Sequence, residues 1–435
     1  MASFSILGAL GLLVSTVVAQ NCTAIDPSAP LNISNGYTAQ VILNGLNLPR
    51  DILFDTAGNL LIVEQGGDGV RHVVITESAD GNVCVESSAQ LIPDHTLNHG
   101  IAFSQDGKTL FVSSMAEVYA YPYDAVAGTV GTKKTVIEGM RSGGHTTRTL
   151  LAPVTAPDIL IVSRGSDGNI DNTTVEAAAA KSIIKIFSIA ELLASESAID
   201  YAQGGEILGW GLRNSVGVGE DPSTGGIWSV ENSADEIHRS DTDLHNNNPA
   251  EEMNYHGVIR DANNTMKGLN YGYPACFAAW QTTDIPANNA ITVGSQFGGL
   301  QGTPFQQVAE TAEVTEVDDF CRTQRQAPRL VFPAHTAPLD IKFTEDGRTA
   351  YVAFHGSWNR DPPDGFRLGK VAFTDGQPVA QIEDAATAVE YIIQNTDLTK
   401  CPGTCFRPVG LAFDKKGRLF MTSDTSGELF VITTT

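Results

Sequence analysis

The chain is predicted to fold as an all-β, six-bladed β-propeller, and three observations carry that prediction. An apolar run, a short turn rich in Asp and Gly, and a second β-type run recur six times along the 435 residues. Each copy alternates its side chains as two strands joined by a tight turn. Glycine is abundant, with 42 residues, and methionine is scarce, with 6, as suits a turn-rich β protein. One such hairpin cannot bury both of its faces alone, whereas copies stacked into a closed radial array can.

The copies read DILFDTAGNLLIVEQ from Asp51, GIAFSQDGKTLFVSS from Gly100 and TLLAPVTAPDILIVSRG from Thr149. They continue with VGVGEDPSTGGIWSVEN from Val216, DIKFTEDGRTAYVAFHG from Asp340 and GLAFDKKGRLFMTSDTSG from Gly410. Spacing is short between the first two and much longer between the fourth and fifth. That gap holds HRSDTDLHNNNPAEEMNYHG, NYGYPACFAAW and DDFCRTQRQAPRL. Long loops in compact domains are functional or disordered, and the aromatics and cysteines here point to order. One segment reads as strongly helical, VEAAAAKSIIKIFSIAELLASE from Val175; its second half reads equally as strand then helix.

Residues 1–19 read as a secretory signal peptide, an apolar run ending in small residues without a basic start. Residues 20–435 then form one propeller domain. Sequons at Asn21, Asn32, Asn172 and Asn263 agree with secretion. Six cysteines are an even set for disulfides in such a chain. Their order suggests Cys22–Cys84, Cys276–Cys321 and Cys401–Cys405 among the connectivities six cysteines allow. The net charge of −23 argues against nucleic-acid and anionic-membrane partners. The strand ELFVITTT runs to Thr435, so no appended haem or carbohydrate-binding domain is expected.

The chemistry is expected at one mouth of the channel, on loops between strands and blades. Immediately before the first strand of the successive repeats stand Arg50, His99, His145, Arg213, His335 and Arg407. Singly, such a His is an ordinary loop residue and such an Arg a blade-to-blade salt bridge. In register they form a ring around the mouth, able to bind an anion and to move protons. There is no Walker A motif, dinucleotide fingerprint, nucleophile elbow or HExxH motif, and no pair of Cys-x-x-Cys motifs for zinc. Asp241, Asp243, His245 and Glu252 fall at calcium-loop spacing, but Asn246 stands where such a loop needs Gly, so the segment reads as a solvated loop. Backbone carbonyls of ENSADE, from Glu231, stay open as a site for a hard cation.

GLRNSVG, then W-x-VENSADE, NYGYP, FHGSWNR-x-PP-x-G and FRPVGLAF resemble the sorbosone and soluble glucose dehydrogenase superfamily. Within it, the chain resembles the secreted fungal pyranose dehydrogenases dependent on pyrroloquinoline quinone (PQQ), over about Pro49 to Ile432. The resemblance implies the same six-bladed fold and a planar tricarboxylate cofactor. It implies that Arg50, Arg213 and Arg407 pair the carboxylates and quinone oxygens. His99, His335, His355 and Trp358 become close contacts, with Trp358 or a histidine over a ring face. Arg148, Asn214 and Asp424 complete the expected cofactor set. His145, in GGHTTR, matches the family's general base, which takes the hydroxyl proton as hydride leaves the sugar. Arg213 and Asn214 would stabilise the charge developing on the quinone oxygen. Ca²⁺ is implied, with the backbone carbonyls of Ser233 and Ala234 as its ligands.

The chain departs from the bacterial soluble glucose dehydrogenases at three points. Their His-Gln-x-Gly-Arg is His145-Thr146-Thr147-Arg148 here, their calcium-binding Gly-Pro is Ser233-Ala234, and one of their two last-blade arginines is Cys405. The resemblance therefore carries the cofactor further than it carries glucose. The expected enzyme is a monomeric, secreted sugar dehydrogenase that passes electrons to a separate acceptor: a cytochrome, a quinone or a secreted copper oxidoreductase. The competing readings are a calcium-dependent propeller lactonase, for which Glu64, Glu231 and Asn232 could serve, and a non-catalytic binding propeller.

Overall fold

Every one of the six repeated phrases forms the two innermost strands of a blade. They are Pro49–Phe54 with Leu60–Glu64, Leu97–Phe103 with Thr109–Ser114, and Leu150–Leu151 with Ile159–Arg164. The others are Ser215–Asp221 with Gly226–Glu231, Pro338–Phe343 with Thr349–Phe354, and Pro408–Phe413 with Leu419–Ser423. The computed structural model describes residues 22, 25–239, 241–288, 290–298 and 314–435. The expected leader, 1–19, and the Asn21 sequon lie outside the described residues, while Asn32, Asn172 and Asn263 are exposed.

Each inner hairpin is extended outward into an antiparallel sheet of at least four strands, giving the six blades of a propeller. The second strand of each blade is buried along nearly its whole length, because blades pack on both of its faces. The core therefore lies between blades. Trp228 of the fourth blade meets Phe373 of the fifth edge-on at 5.1 Å, and Ile52 and Leu60 of the first pack with Phe420 of the sixth.

The ring closes through a strand that carries no repeat phrase. Tyr37–Leu43 pairs with Glu428–Thr434, setting Val41 opposite Phe430, and becomes the outer strand of the sixth blade. Leu31–Ile33 likewise joins the edge of the fifth blade. The three disulfides link Cys22–Cys84, Cys276–Cys321 and Cys401–Cys405, as chain order suggested. Among the described residues, no helix is long and apolar enough to cross a membrane.

Two segments differ from expectation. VEAAAAK forms no α-helix: one 3-10 turn, Asn172–Val175, ends at its first residue, and another, Ala177–Ala179, lies within it. Ala180 and Ser182 take positive φ, ending any helix, and Ile183–Ser188 enters the third blade as a buried strand. Burial there outweighs the helical preference of the alanines. The alternative reading of the second half holds: a six-residue helix, Ile189–Ala194, follows the strand and is capped by Ser188. A helix not expected from the sequence, Val314–Gln324, lies in the long excursion, fastened by Cys321 to Cys276.

Neighbouring inner strands approach to backbone contact at glycines. A Cβ on Gly410 would lie 2.4 Å from the Arg50 carbonyl oxygen, and one on Gly100 would lie 2.1 Å from that of Arg148. A hydroxyl on each second strand bridges the junction. Gly410 N donates to Thr422 Oγ1 (2.9 Å), which donates to the Arg50 carbonyl (2.7 Å). Gly100 N donates to Ser113 Oγ (3.0 Å), which donates to the Arg148 carbonyl (2.6 Å). Gly410→Ala is expected to lower the unfolding free energy by about 1–3 kcal/mol in urea titrations, since the added methyl meets backbone rather than a flexible side chain.

Candidate active site

The ends of the inner strands converge on a cavity of about 430 Å³ at one mouth of the channel. Arg50, His145, Arg213, His335 and Arg407, five of the six ring positions, line it, together with Asn214, His355 and Trp358. Trp358 stands at the rim, 70 % exposed. Asn232, Ser233, Asp235, Glu251 and Asn359 complete its polar wall.

A second layer lies behind. His99 is buried below Arg50 and accepts from Arg50 Nε through Nδ1 at 3.3 Å. Burial, with Arg50 and Lys342 nearby, holds its ring well below the ordinary histidine range and so neutral. Asp424 accepts from Arg50 Nη1 at 3.0 Å and bonds His355 Nε2 through both oxygens at 2.9 Å. Burial would raise this carboxyl, but His355, Arg50 and Arg407 together hold it far below the usual range. Arg148 is fully buried and does not line the cavity. Its guanidinium donates to the carbonyls of His145, Thr147 and Met140 at 2.9, 2.6 and 2.6 Å, bracing the loop that carries His145. Ala234 is likewise interior, packed with Ile237 and Phe277, whereas Ser233 reaches the wall.

Arg213 is anchored on every side. It donates to Asn169 Oδ1 (3.0 Å), to the carbonyls of Asn169 (3.0 Å) and Asn232 (3.1 Å), and to Asp235 Oδ2 (3.0 Å). Asp235 Oδ1 in turn faces His335 Nδ1 at 3.3 Å and accepts from Asn359 Nδ2 at 2.9 Å. His335 Nε2 contacts the carbonyl of His245. With an acceptor at each nitrogen, the ring is suited to carry both protons. Asp235 and Glu251 outweigh burial and raise it above the usual histidine value. Burial pushes the Glu251 carboxyl up to about 7, although the N–H groups of Ser233 (2.7 Å) and Ala337 (3.1 Å) donate to it. His145 is the opposite case: burial, then Arg213, pushes its ring down to about 4.

Arg407 donates to the carbonyls of His355 (3.1 Å) and Gly356 (2.8 Å) and stacks over Phe366 at 5.3 Å. Among the described residues it has no carboxylate within ion-pair distance. No hydrogen bond from a described residue reaches the carbonyl oxygen of Ser233 or Ala234. Among those residues, no three His, Cys, Asp or Glu side chains are disposed to hold a metal.

The carboxylates that a lactonase would need do not gather here. Glu64 accepts from Asn47 N (2.8 Å) and Arg71 Nε (2.7 Å) in the first blade, and Glu231 accepts from Arg213 N (2.9 Å). Neither lines the cavity, and only Asn232 of that set does. Asp241 and Asp243 are exposed while Glu252 is buried, so the calcium-like spacing forms no common site. Sequence reasoning missed Asp235, Glu251, Asn169 and Asn359. Asp235 sits inside ENSADE and Asn359 inside HGSWNR, and both could have been found there; Glu251 and Asn169 carry no local pattern.

The fold and this cavity define a propeller with a cationic, proton-accepting pocket at one channel mouth. The family described as TrAA12-like matches residues 31–435, and the chain belongs to it. A protein of Hypocrea jecorina (strain QM6a), named pyrroloquinoline quinone-dependent sugar dehydrogenase, is 43 % identical over 427 residues, 97 % of this chain and 94 % of that one. A Coprinopsis cinerea protein named pyrroloquinoline quinone-dependent pyranose dehydrogenase is 35 % identical over 425 residues, 94 % of this chain. The chain spans 55 % of that protein's length. The holo form of the PQQ domain of pyranose dehydrogenase from Coprinopsis cinerea superposes with a TM-score of 0.85 at 34 % identity, covering 95 % of this chain and 99 % of that one. The calcium structure of Trichoderma reesei carbohydrate-active enzymes family AA12 gives 0.87 at 42 %, covering 97 % and 100 %.

Asp424→Asn should cost about 3 kcal/mol at neutral pH, because Arg50 loses its counter-ion in a buried setting. The depressed carboxyl stabilises the fold above the ordinary aspartate value, and that stability drains as pH falls toward the folded value. Unfolding free energies measured across acid pH should therefore fall less steeply below about pH 4 in the variant than in the parent protein.

Proposed function

We propose that this protein is a secreted quinoprotein that oxidises a pyranose at its anomeric carbon and passes the electrons to an external acceptor. The observation that carries the reading is Arg407, a partly buried cation with no carboxylate within ion-pair distance among the described residues, on a cavity that Arg50 and Arg213 also line. Burying cations ahead of anions is costly unless a ligand supplies the missing charge. A planar tricarboxylate such as PQQ has that charge, and the cavity lies in the size range of small-ligand sites. The relatives' names support the cofactor, and the calcium structure within the family supports the cation.

Arg50 and Arg407 would hold carboxylates, with Asp424 fixing the guanidinium of Arg50. His335, His355 and Trp358 would flank the cofactor, and Asn214 with the anchored Arg213 would supply positive potential where negative charge develops. The unpartnered carbonyls of Ser233 and Ala234 are hard oxygen donors of the type calcium takes. Bound there, PQQ would supply a quinone carbonyl that accepts hydride, and calcium would polarise it. His145 is uncharged at neutral pH and would take the proton from the sugar hydroxyl. His99 and Arg148 act from behind, through Arg50 and through the His145 loop. The leader, the exposed sequons and the three disulfides support secretion.

Apo-protein should bind PQQ with calcium and reduce a dye when pyranoses are added. His145→Ala should retain PQQ binding and lose about 10²–10⁴ in turnover. Arg407→Ala should weaken PQQ binding about tenfold to a hundredfold, as expected for losing a charge-assisted hydrogen bond. Full dehydrogenase activity in both variants would sink the assignment.

A further inference from the structure

His145 makes its contacts through a single ring nitrogen. Nδ1 lies 2.9 Å from Ser166 Oγ and 3.1 Å from the Ser166 carbonyl oxygen. The carbonyl can only accept a hydrogen bond. The hydroxyl has one proton, which it donates to the Gly168 carbonyl at 2.7 Å, so toward His145 it too accepts. Both contacts therefore require the proton on Nδ1 and leave the lone pair on Nε2. Nε2 makes no hydrogen bond with a described residue, and His145 lines the cavity.

Ser166 is itself held firmly. It is fully buried, its N–H donates to the Arg213 carbonyl at 2.9 Å, and its carbonyl accepts from His145 N at 3.0 Å. Gly165 beside it lets the chain pass close: a Cβ there would lie 2.8 Å from His145 Cβ and 2.5 Å from Asn214 Oδ1.

We propose that Ser166 is a positioning residue that fixes the tautomer of His145 and backs it with a neutral acceptor pair instead of a carboxylate. The inference rests on His145 being the proton acceptor proposed above. A neutral backing does not stabilise the imidazolium as a carboxylate does, so the ring stays basic at Nε2 and uncharged into mildly acidic solution. The charged groups facing His145 are Arg213 and Arg148, which disfavour its protonation, and Asp235, which favours it. The consequence is a base that works at acidic pH, where a carboxylate-backed histidine would already be protonated.

The test is a ¹⁵N-histidine NMR titration of the apo-protein, with His145→Gln identifying the resonance, beside the pH profile of kcat/KM for the PQQ- and calcium-loaded enzyme. The parent protein should show a pyridine-like Nε2, a pyrrole-like Nδ1 and a midpoint well below that of a free histidine. Ser166→Asp should raise that midpoint by about one to two pH units and shift the acid limb of kcat/KM equally, costing about tenfold near pH 5 with little change near pH 8. A pyridine-like Nδ1 in the parent protein, or an unmoved midpoint in folded Ser166→Asp, overturns the proposal. If Ser166→Asp does not fold, Ser166→Ala decides: with only the carbonyl left to accept, the share of the Nε2–H tautomer should rise, and an unchanged tautomer ratio overturns the role of the hydroxyl. A midpoint that moves while the kinetic limb does not would instead remove His145 as the base and leave the hold of Ser166 on it intact.

Discussion

The close approach of adjacent inner strands is the constraint on which the site depends. At Gly410 and Gly100 one blade's backbone comes so near the next blade's carbonyl that no side chain fits between them. Thr422 and Ser113 then bridge the junction by hydrogen bonds in both directions. The carbonyls they reach belong to Arg50 and Arg148. The contact that sets the bore of the channel thus also sets where a cavity-lining guanidinium and the brace of the His145 loop begin. A buried network satisfied in this way is stiff, because each displaced group would leave an unpaired partner.

The wall built on this frame separates its histidines by their acceptors. His335 has one at each ring nitrogen and is suited to hold charge; His145 has its acceptors at one nitrogen and stays neutral. His355 shares Asp424 with Arg50, so one carboxylate steadies two neighbours. Fixed charge, a free lone pair and an arginine without a carboxylate at ion-pair distance among the described residues sit within one cavity.

Much of this was legible in the sequence, for reasons that also mark its limits. The inner hairpins were visible because alternation and an Asp-Gly or Lys-Gly turn recur in register. The ring was visible because each repeat carries an Arg or His at or shortly before its first strand: Arg50 and His99 fall inside that strand, whereas His145, Arg213, His335 and Arg407 lie in the loop ahead of it. Position along the chain identifies a strand end but not depth in the channel, which is why His99, a ring position, and Arg148, next to the third repeat, lie behind the wall. The closing strand Tyr37–Leu43 was hidden because outer strands carry no repeated turn phrase. The 3-10 turns near Ala177 follow from the strand they precede, a tertiary effect. Asp235 was within reach through ENSADE, but Glu251 and Ser166 act through partners outside their own segments, and nothing in their neighbours announces it.

Ring closure has a consequence for the order in which this molecule is made. The sixth blade carries Arg407 and Asp424, and its outer strand comes from near the opposite end of the chain. The earlier blades can form their sheets while the later ones are still being synthesised, but the pocket cannot exist until the last strand has met Tyr37–Leu43. A complete pocket therefore requires a closed ring. An anion bridging Arg50 and Arg407 would tie the first blade to the last, beside the strand pair inside the sixth blade that closes the ring.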